Sequence, residues 1–221
     1  MAPRISAEVA YILPMASFLA LTQIGITWPA TYPGVYIAKT ILAAALLILL
    51  RRHYTRIRWD YAWVGVVVGI VGIVQWVAVE KLLLHFFPHY PRLGGEVFDP
   101  IRQIARPTLR WSFIAMRLAG AVIVVPFMEE LFWRDFLWRT IQAPNDFKLA
   151  EVGEWDFSAF AIVTLLFASV HIQWVTAIIW GALIAWLLVK TRSLGACIIA
   201  HGVTNLLLGI YVLYSGDWYF W

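Results

Sequence analysis

The chain has 221 residues, of which 62% are hydrophobic and only 14% are charged. Soluble globular domains are about 45–50% apolar and about 25% charged, so this composition excludes both a soluble fold and a disordered chain. The net charge of +4 comes from 17 basic and 13 acidic residues. In so apolar a chain, this excess is typical of cytoplasmic loops rather than of a nucleic-acid surface. We therefore expect an integral membrane protein that binds no nucleic acid.

Apolar runs along the chain predict the membrane-spanning helices. A span needs about 20 mostly apolar residues, and such runs occur at 9–26, 34–50, 61–79, 111–128, 158–173, 175–189 and 195–214. No Pro or Gly interrupts the chain from Phe127 to Ile141, so the fourth helix is predicted to continue to about residue 141. An eighth span is possible within 80–110. The sequence thus predicts one all-α domain over 1–221, a polytopic membrane helix bundle with about seven to eight transmembrane helices.

Basic residues predict the orientation of this bundle. The short loop after the second run contains four arginines, at positions 51, 52, 56 and 58. Because cytoplasmic loops are rich in arginine and lysine, this loop and the N-terminus are expected on the cytoplasmic side of the cell membrane. Three further arginines, at 102, 106 and 110, recur at four-residue intervals. This spacing predicts one face of an amphipathic helix at the membrane interface.

Two adjacent carboxylates, Glu129 and Glu130, follow about seventeen mostly apolar residues of the fourth run and precede more aromatic ones. A charge within a span costs at least about 2.5–3.5 kcal/mol, so such residues usually face a polar interior and serve a function. Arg134 lies four positions after Glu130, on the same helical face, and can form an ion pair with it. The alternative is that both glutamates mark a solvated helix end.

Two histidines lie in later apolar runs, each paired with a residue four positions away. Phe167 precedes His171, and Asn205 follows His201, so the members of each pair share a helical face. A single histidine on an apolar helix is more often a hydrogen-bonded packing residue. Two such sites together with an intramembrane glutamate pair are harder to explain as packing alone.

These residue types suit hydrolysis. A carboxylate and a neutral imidazole that converge on one water can remove its proton, and a second histidine with an asparagine amide can stabilise an oxyanion. Two histidines and a carboxylate could instead bind zinc, but the chain has no H-E-x-x-H sequence. The single cysteine, Cys197, has no paired base nearby and is predicted to be a small buried apolar residue.

Three motifs, in this order, resemble the CAAX prenyl endopeptidase family, also called the CPBP or Abi-type intramembrane proteases: Glu129-Glu130-x-x-x-Arg134, Phe167-x-x-x-His171 and His201-x-x-x-Asn205. The resemblance covers about residues 111–214. It implies an intramembrane endopeptidase that needs no cofactor. Its substrate would be a membrane protein or a lipidated peptide, since eukaryotic members cut after a prenylated cysteine.

The resemblance also implies roles for the seven motif residues. Glu129 and His171 would activate the hydrolytic water, and His201 and Asn205 would stabilise the oxyanion. Three residues would support the site: Glu130 and Arg134 as a structural or substrate-orienting pair, and Phe167 as a wall.

Two other functions remain open from the sequence. One is a catalytically silent immunity or sorting-accessory protein that keeps the same fold. The other is a transporter that uses the buried charges as a relay, although no internal repeat is visible, which argues against a transporter.

Overall fold

The computed structural model describes residues 6–92 and 97–221. Seven helices of 13 residues or more follow one another, and no strand occurs within these two ranges. The helices are α1 (Ala7–Thr27), α2 (Tyr32–Leu49), α3 (Ala62–Phe86), α4 (Pro107–Gln142), α5 (Phe157–Ser169), α6 (Trp174–Thr191) and α7 (Leu194–Ser215). The predicted all-α, polytopic helix bundle is confirmed.

Six of the seven helices are long and apolar enough to cross a membrane. The exception is α5, which has 13 residues and rises only about 20 Å, whereas the hydrocarbon core is about 30 Å thick. The run at 158–173 is therefore a shorter helix than predicted. The possible eighth span within 80–110 is absent from the described part of that region, where α3 continues to Phe86 and only the single turn Pro100–Gln103 precedes α4.

The arginines at 102, 106 and 110 do not share one helix, so that prediction is wrong. The single turn ends at Gln103, and Arg106 has an extended backbone with φ −74° and ψ 116°. Pro107 begins α4, and a proline disfavours the helical conformation for the residue before it. Arg110 lies in the first turn of α4, where its guanidinium donates to the carbonyl of Ile104 at 2.9 Å.

The innermost helix, α7, packs against α3 at three glycines of α3, Gly65, Gly69 and Gly72. A Cβ atom on Gly69 would lie 2.8 Å from the carbonyl oxygen of Ala200, and one on Gly72 would lie 2.6 Å from the hydroxyl of Thr204. Small residues allow helix backbones to approach closely in membrane bundles. This contact holds α7, with His201 and Asn205, in a fixed position inside the bundle.

Helix α4 contains 36 residues and is interrupted twice by π-helical turns. These turns, Gly120–Val124 and Leu131–Leu137, flank the segment Val125–Glu130, which carries both glutamates of the predicted site. The helix ends at Gln142, in agreement with the predicted continuation to about residue 141. Because π-helical turns inside α-helices are frequent at functional sites, their position draws attention to the segment between them.

Polar and apolar residues are distributed as a lipid environment requires. Large apolar side chains such as Val74, Ile48 and Leu165 are exposed, whereas Glu129, Glu130 and Arg134 are buried. Lipid tolerates an apolar exterior but not unpaired backbone groups, and helices satisfy those groups internally. The protein is therefore a multi-pass membrane protein. Cys197 is fully buried, as predicted.

Candidate active site

The two adjacent glutamates of α4 are both buried but have different surroundings. Glu130 forms an ion pair with Arg134. Glu129 forms no ion pair with any described residue, and its Oε2 atom has no hydrogen-bond partner there. Neighbouring positions on a helix point about 100° apart, which explains how two consecutive residues reach such different environments. The two carboxylates therefore differ in that only Glu130 has a cationic partner among the described residues.

Glu130 is the centre of a buried polar contact between α4 and α7. Its Oε1 atom lies 3.4 Å from Arg134 Nη1 and 2.8 Å from His201 Nδ1. Arg134 and Glu130 are fully buried, and His201 is nearly so. Because buried charges need a partner, this convergence fixes the position of the His201 ring relative to α4.

Phe167, at the end of α5, connects the two halves of the site. The guanidinium carbon of Arg134 lies 4.3 Å from the centroid of its ring, and the ring of His171 lies 4.3 Å from the same centroid. Guanidinium groups are attracted to the face of an aromatic ring. Phe167 thus lies buried between Arg134 and His171.

His171 lies beyond the end of α5, in the turn that leads to α6, and not within a helix as predicted. Its amide donates to the carbonyl of Ala168, while its Nδ1 atom lies 2.7 Å from the carbonyl oxygen of Phe167. In a continuous helix the amide of His171 would bond to that Phe167 oxygen. The imidazole replaces the amide there, so the helix ends with its orphan carbonyl satisfied. The edge of Trp76 also contacts the ring, with centroids 5.9 Å apart.

Asn205 lies one turn after His201 on α7 and faces the first π-helical turn of α4. Its Nδ2 atom donates to the carbonyl of Ala121 at 2.8 Å. The Asn205 carboxamide thereby ties α7 to α4 at a second point. One of its two N–H groups is used in this bond, so the other remains available as a donor.

Several buried polar atoms of the cluster have no hydrogen-bond partner among the described residues. They are Glu129 Oε2, Glu130 Oε2, Arg134 Nε and Arg134 Nη2. Buried polar atoms in proteins are nearly always hydrogen-bonded, so each unpartnered one calls for an explanation. Both acceptors and donors are available here, between Glu129 and Arg134 of α4. Such a set can bind water or the polar backbone of a peptide.

The structure brings most of the predicted residues together. Glu130, Arg134, Phe167, His171 and His201 form one continuous set of contacts. Glu129 forms no ion pair with any of these five residues, and its Oε2 atom has no hydrogen-bond partner among the described residues. Asn205, in contrast, contacts Ala121 rather than the ion pair.

A second buried polar network was not predicted, and it lies directly after Arg134. Asp135 Oδ2 accepts from Tyr11 Oη at 2.6 Å. Its Oδ1 atom accepts from Arg139 Nη1 at 2.5 Å and from the hydroxyl of Thr55 at 3.3 Å. Arg139 also donates to the carbonyl of Ala150 at 2.8 Å. The four-residue spacing of Asp135 and Arg139, the same as that of Glu130 and Arg134, was the available sequence signal. Nothing in the sequence indicates the tyrosine, which is 124 positions away.

Within residues 6–92 and 97–221, no group of three or more His, Cys, Asp or Glu side chains is arranged to hold a metal ion. His201 and Glu130 face each other, and the third charged group at the same oxygen is the cationic Arg134.

Comparison with known proteins supports the resemblance over the part of the chain that contains this cluster. Residues 110–207 match a family model described as type II CAAX prenyl endopeptidase Rce1-like. No curated protein and no solved structure matches the chain. The matched region includes both glutamates, Arg134, Phe167, both histidines and Asn205. Residues 110–207 are therefore similar to the Rce1-like type II CAAX prenyl endopeptidase family.

Proposed function

We propose that this protein is an intramembrane endopeptidase that hydrolyses a peptide bond of a membrane-associated, lipidated substrate. In this proposal Glu129, together with His171, removes a proton from water as the water oxygen attacks the carbonyl carbon. The C–N bond then breaks, and the proton is delivered to the leaving amine. The family match supports a CAAX-type protease.

The observation that carries this proposal is the division of roles between the two glutamates. Oε2 of both carboxylates is buried without a hydrogen-bond partner among the described residues, but Glu130 is paired through Oε1 with Arg134 and His201, whereas Glu129 forms no ion pair there. A general base must have an oxygen within hydrogen-bond reach of water, and Glu129 meets this condition better than Glu130 does. On His171, the contact of Nδ1 with the carbonyl of Phe167 leaves Nε2 as the nitrogen that can face the same water.

His201 and Asn205 support the proposal as oxyanion donors. Because Nδ1 of His201 faces Glu130, the ring can donate from Nε2 only when it carries both protons, and Glu130 is placed to balance that charge. Asn205 keeps a second N–H beyond the one given to Ala121. Removal of one oxyanion donor typically costs about 10²–10³ in kcat.

An apolar groove beside the same segment of α4 suits the lipid part of a substrate. The groove has a volume of about 530 Å³ and is lined by side chains of α2, of the loop that follows it and of α4, among them Leu47, Trp59, Phe127 and Leu131. Ligand pockets of roughly 300–1,000 Å³ hold drug-sized molecules, so an isoprenoid or acyl chain fits this volume. Phe127 precedes Glu129 by two positions, so the groove and the proposed base share one helical segment.

We further propose that the groove opens toward the cytoplasm in the cell membrane. Arg51 is one of its lining residues, in the loop whose four arginines favour the cytoplasmic side. This orientation also places the N-terminus in the cytoplasm.

The test is a cleavage assay with purified protein in detergent. The substrate is a fluorogenic peptide that carries an S-farnesylated cysteine followed by three residues with a free C-terminal carboxylate. We expect Glu129→Gln and His171→Ala to lower kcat by about 10²–10⁴, the usual contribution of general acid–base catalysis. Mass spectrometry of the products should place the cut directly after the modified cysteine.

Glu151→Gln is the matched control, because Glu151 is exposed and pairs only with Arg192 at the surface. This variant should cleave like the wild type. A Glu129→Gln protein with unchanged kcat would contradict the assigned base. If the folded wild type cleaves neither this peptide nor its unprenylated counterpart, the proposed activity is wrong, and a silent accessory role becomes the better explanation.

A further inference from the structure

His171 lies in a four-residue turn, 170–173, between α5 and α6. Its neighbours Val170 and Ile172 are 41% and 43% exposed, so neither packs the turn firmly against the bundle. The hydrogen bonds of His171 itself are to α5, on the near side of the turn. On the far side, Gln173 is only 4% exposed. The contacts of Gln173 therefore bear on how firmly the imidazole is held.

Gln173 occupies the N-cap position of α6 but does not cap that helix. An N-cap side chain normally accepts a hydrogen bond from one of the first amides of its helix, and Gln173 makes no such bond to the described backbone of α6. Its Nε2 atom instead donates to the backbone carbonyl of Tyr219 at 2.7 Å, 46 positions further along the chain. The side chain thus ties the turn of His171 to the segment that follows α7.

This segment, 216–221, is packed onto the bundle. Gly216 ends α7 in the left-handed conformation, with φ 76°, which allows the chain to leave the helix axis. A single 3-10 turn, Trp218–Phe220, follows. Both Trp218 and Phe220 are buried, so the carbonyl of Tyr219 between them has a fixed place.

Two charged side chains from α3 and the loop after it hold the same segment. Asp217 Oδ2 accepts from Tyr211 Oη at 2.6 Å and lies 3.2 Å from Lys81 Nζ. The guanidinium carbon of Arg92 lies 5.7 Å from the centroid of the Tyr219 ring, within cation–π distance. The acceptor of the Gln173 hydrogen bond is therefore anchored independently of α5 and α6.

The start of α6 has two further anchors, but both lie on the other side of Gln173 from His171. Trp174 Nε1 donates to a backbone carbonyl of the loop after α3 at 2.7 Å, and Thr176 Oγ1 donates to Glu80 Oε2 at 3.1 Å. These bonds fix α6 itself. Among the three anchors, Gln173 is the nearest in the chain to His171, only two positions away.

We propose that Gln173 is a positioning residue for His171 and acts through its hydrogen bond to the backbone of Tyr219. This inference rests on the proposed peptidase function, in which the imidazole must lie within hydrogen-bond reach of the attacking water. A misplacement of about 1 Å costs about 10² in rate. The support comes from segment 216–221, which lies outside the family match at residues 110–207.

The first measurement is kcat and KM of Gln173→Met on the S-farnesylated peptide. Methionine keeps the length of the side chain and removes the donor. We expect kcat to fall about 10–100-fold, with KM within about two-fold of the wild type because substrate binding is unchanged. Gln23→Met is the matched control, since Gln23 is exposed and donates to Thr27 of its own helix. It should cleave like the wild type.

A double-mutant comparison separates positioning from a general loss of stability. Once His171 is replaced by alanine there is no imidazole to position, so adding Gln173→Met should lower the residual kcat by less than about two-fold. Single turnovers with excess enzyme measure this residual rate. An equal fold-reduction in the wild-type and His171→Ala backgrounds would overturn the inference. So would a Gln173→Met protein with unchanged kcat.

Hydrogen exchange tests the same contact without activity. The amide of His171 donates to the carbonyl of Ala168 at 3.0 Å, and its exchange should be about ten-fold faster in Gln173→Met and unchanged in Gln23→Met. Unchanged exchange in Gln173→Met would show that Gln173 does not hold the turn. If the folded wild type cleaves no peptide, the peptidase proposal is wrong, whereas faster exchange would still show that Gln173 holds the turn.

Asp217→Ala covers the case in which Gln173→Met does not fold. The Asp217 side chain is 29% exposed, and its removal frees segment 216–221 from Tyr211 and Lys81 without changing Gln173. We expect kcat to fall about three- to ten-fold with little change in KM. Unchanged kcat and unchanged exchange at His171 in Asp217→Ala would overturn the inference.

Discussion

His201 Nδ1 lies 2.8 Å from Glu130 Oε1, although the two residues are 71 positions apart in the sequence. The same oxygen faces Arg134 Nη1 at 3.4 Å. Through Oε1, this buried carboxylate is paired with both a guanidinium and an imidazole. This contact makes Glu130 the residue that joins α4 to α7, and it leaves Glu129 as the glutamate available for chemistry.

The first prediction is that Arg134→Met destabilises the fold. Methionine keeps much of the length of the side chain but removes the charge, so Glu130 stays buried with His201 as its only polar partner. Removing one partner of a buried ion pair costs about 3–5 kcal/mol. We expect a lower thermal unfolding midpoint and a lower folded yield in detergent.

Glu129→Gln provides the comparison, because Glu129 lies on the same helix but forms no ion pair with a described residue. This change should leave the free energy of unfolding within about 1 kcal/mol of the wild type while activity is lost. Equal unfolding midpoints for wild type, Glu129→Gln and Arg134→Met would contradict the different roles assigned to the two glutamates.

The second prediction concerns the contact between α3 and α7. A Cβ at position 69 would lie 2.8 Å from the backbone oxygen of Ala200 and 2.7 Å from the Cβ of Val203, neither of which can rotate away. Gly69→Ala should therefore cost about 1–3 kcal/mol through overpacking. Gly34→Ala is the matched control, since nothing lies within 4 Å of a Cβ there and alanine is the better helix former. If both variants unfold at the same temperature, α3 and α7 do not pack as described.

The features that the sequence predicts well depend on local pattern. Apolar runs predict the helices, because a span must bury its backbone in lipid, and four-residue spacing predicts the Glu130–Arg134 ion pair because helical geometry fixes it. The end of α5 is less predictable. No proline or glycine marks it, and the helix stops where the imidazole of His171 takes the place of its own amide on the carbonyl of Phe167.

The features that the sequence does not predict depend on which helices meet. The contact of His201 with Glu130 requires α7 to face α4 at one particular height. In the sequence, Lys39 and Arg117 are isolated charges in apolar runs, and nothing there indicates that they lie close together. Both side chains lie within cation–π distance of the Tyr36 ring, at 4.7 Å and 5.5 Å, because α2 packs against α4 there.

The third prediction concerns the network around Asp135. Tyr11→Phe removes a 2.6 Å hydrogen bond and leaves a buried carboxylate oxygen without that donor, which costs about 1–3 kcal/mol. We expect a lower unfolding midpoint, and coupling of about 0.5–3 kcal/mol between Tyr11→Phe and Asp135→Asn in a double-mutant cycle. Tyr61→Phe is the control, because that ring is exposed. Additive effects of the two changes would show that Tyr11 and Asp135 act independently.

The fourth prediction is that activity survives removal of metal ions. The Arg134 guanidinium shares Glu130 Oε1 with His201, so a positive charge already lies where a divalent cation would need to bind that carboxylate. Like charges at such a distance repel strongly in a low-dielectric interior. Prolonged incubation with EDTA and with 1,10-phenanthroline should therefore leave kcat/KM on the farnesylated peptide within about two-fold of the untreated value.

A zinc-dependent protease in the same detergent buffer should lose its activity, which shows that the chelators work under these conditions. If side chains alone activate the water, no step of the reaction requires zinc. Added zinc should then fail to raise the residual activity of Glu129→Gln. Loss of wild-type activity on chelation, with recovery on addition of zinc, would instead assign Glu129, His171 and the free nitrogen of His201 to a metal, and the proposed water activation by Glu129 and His171 alone would be wrong.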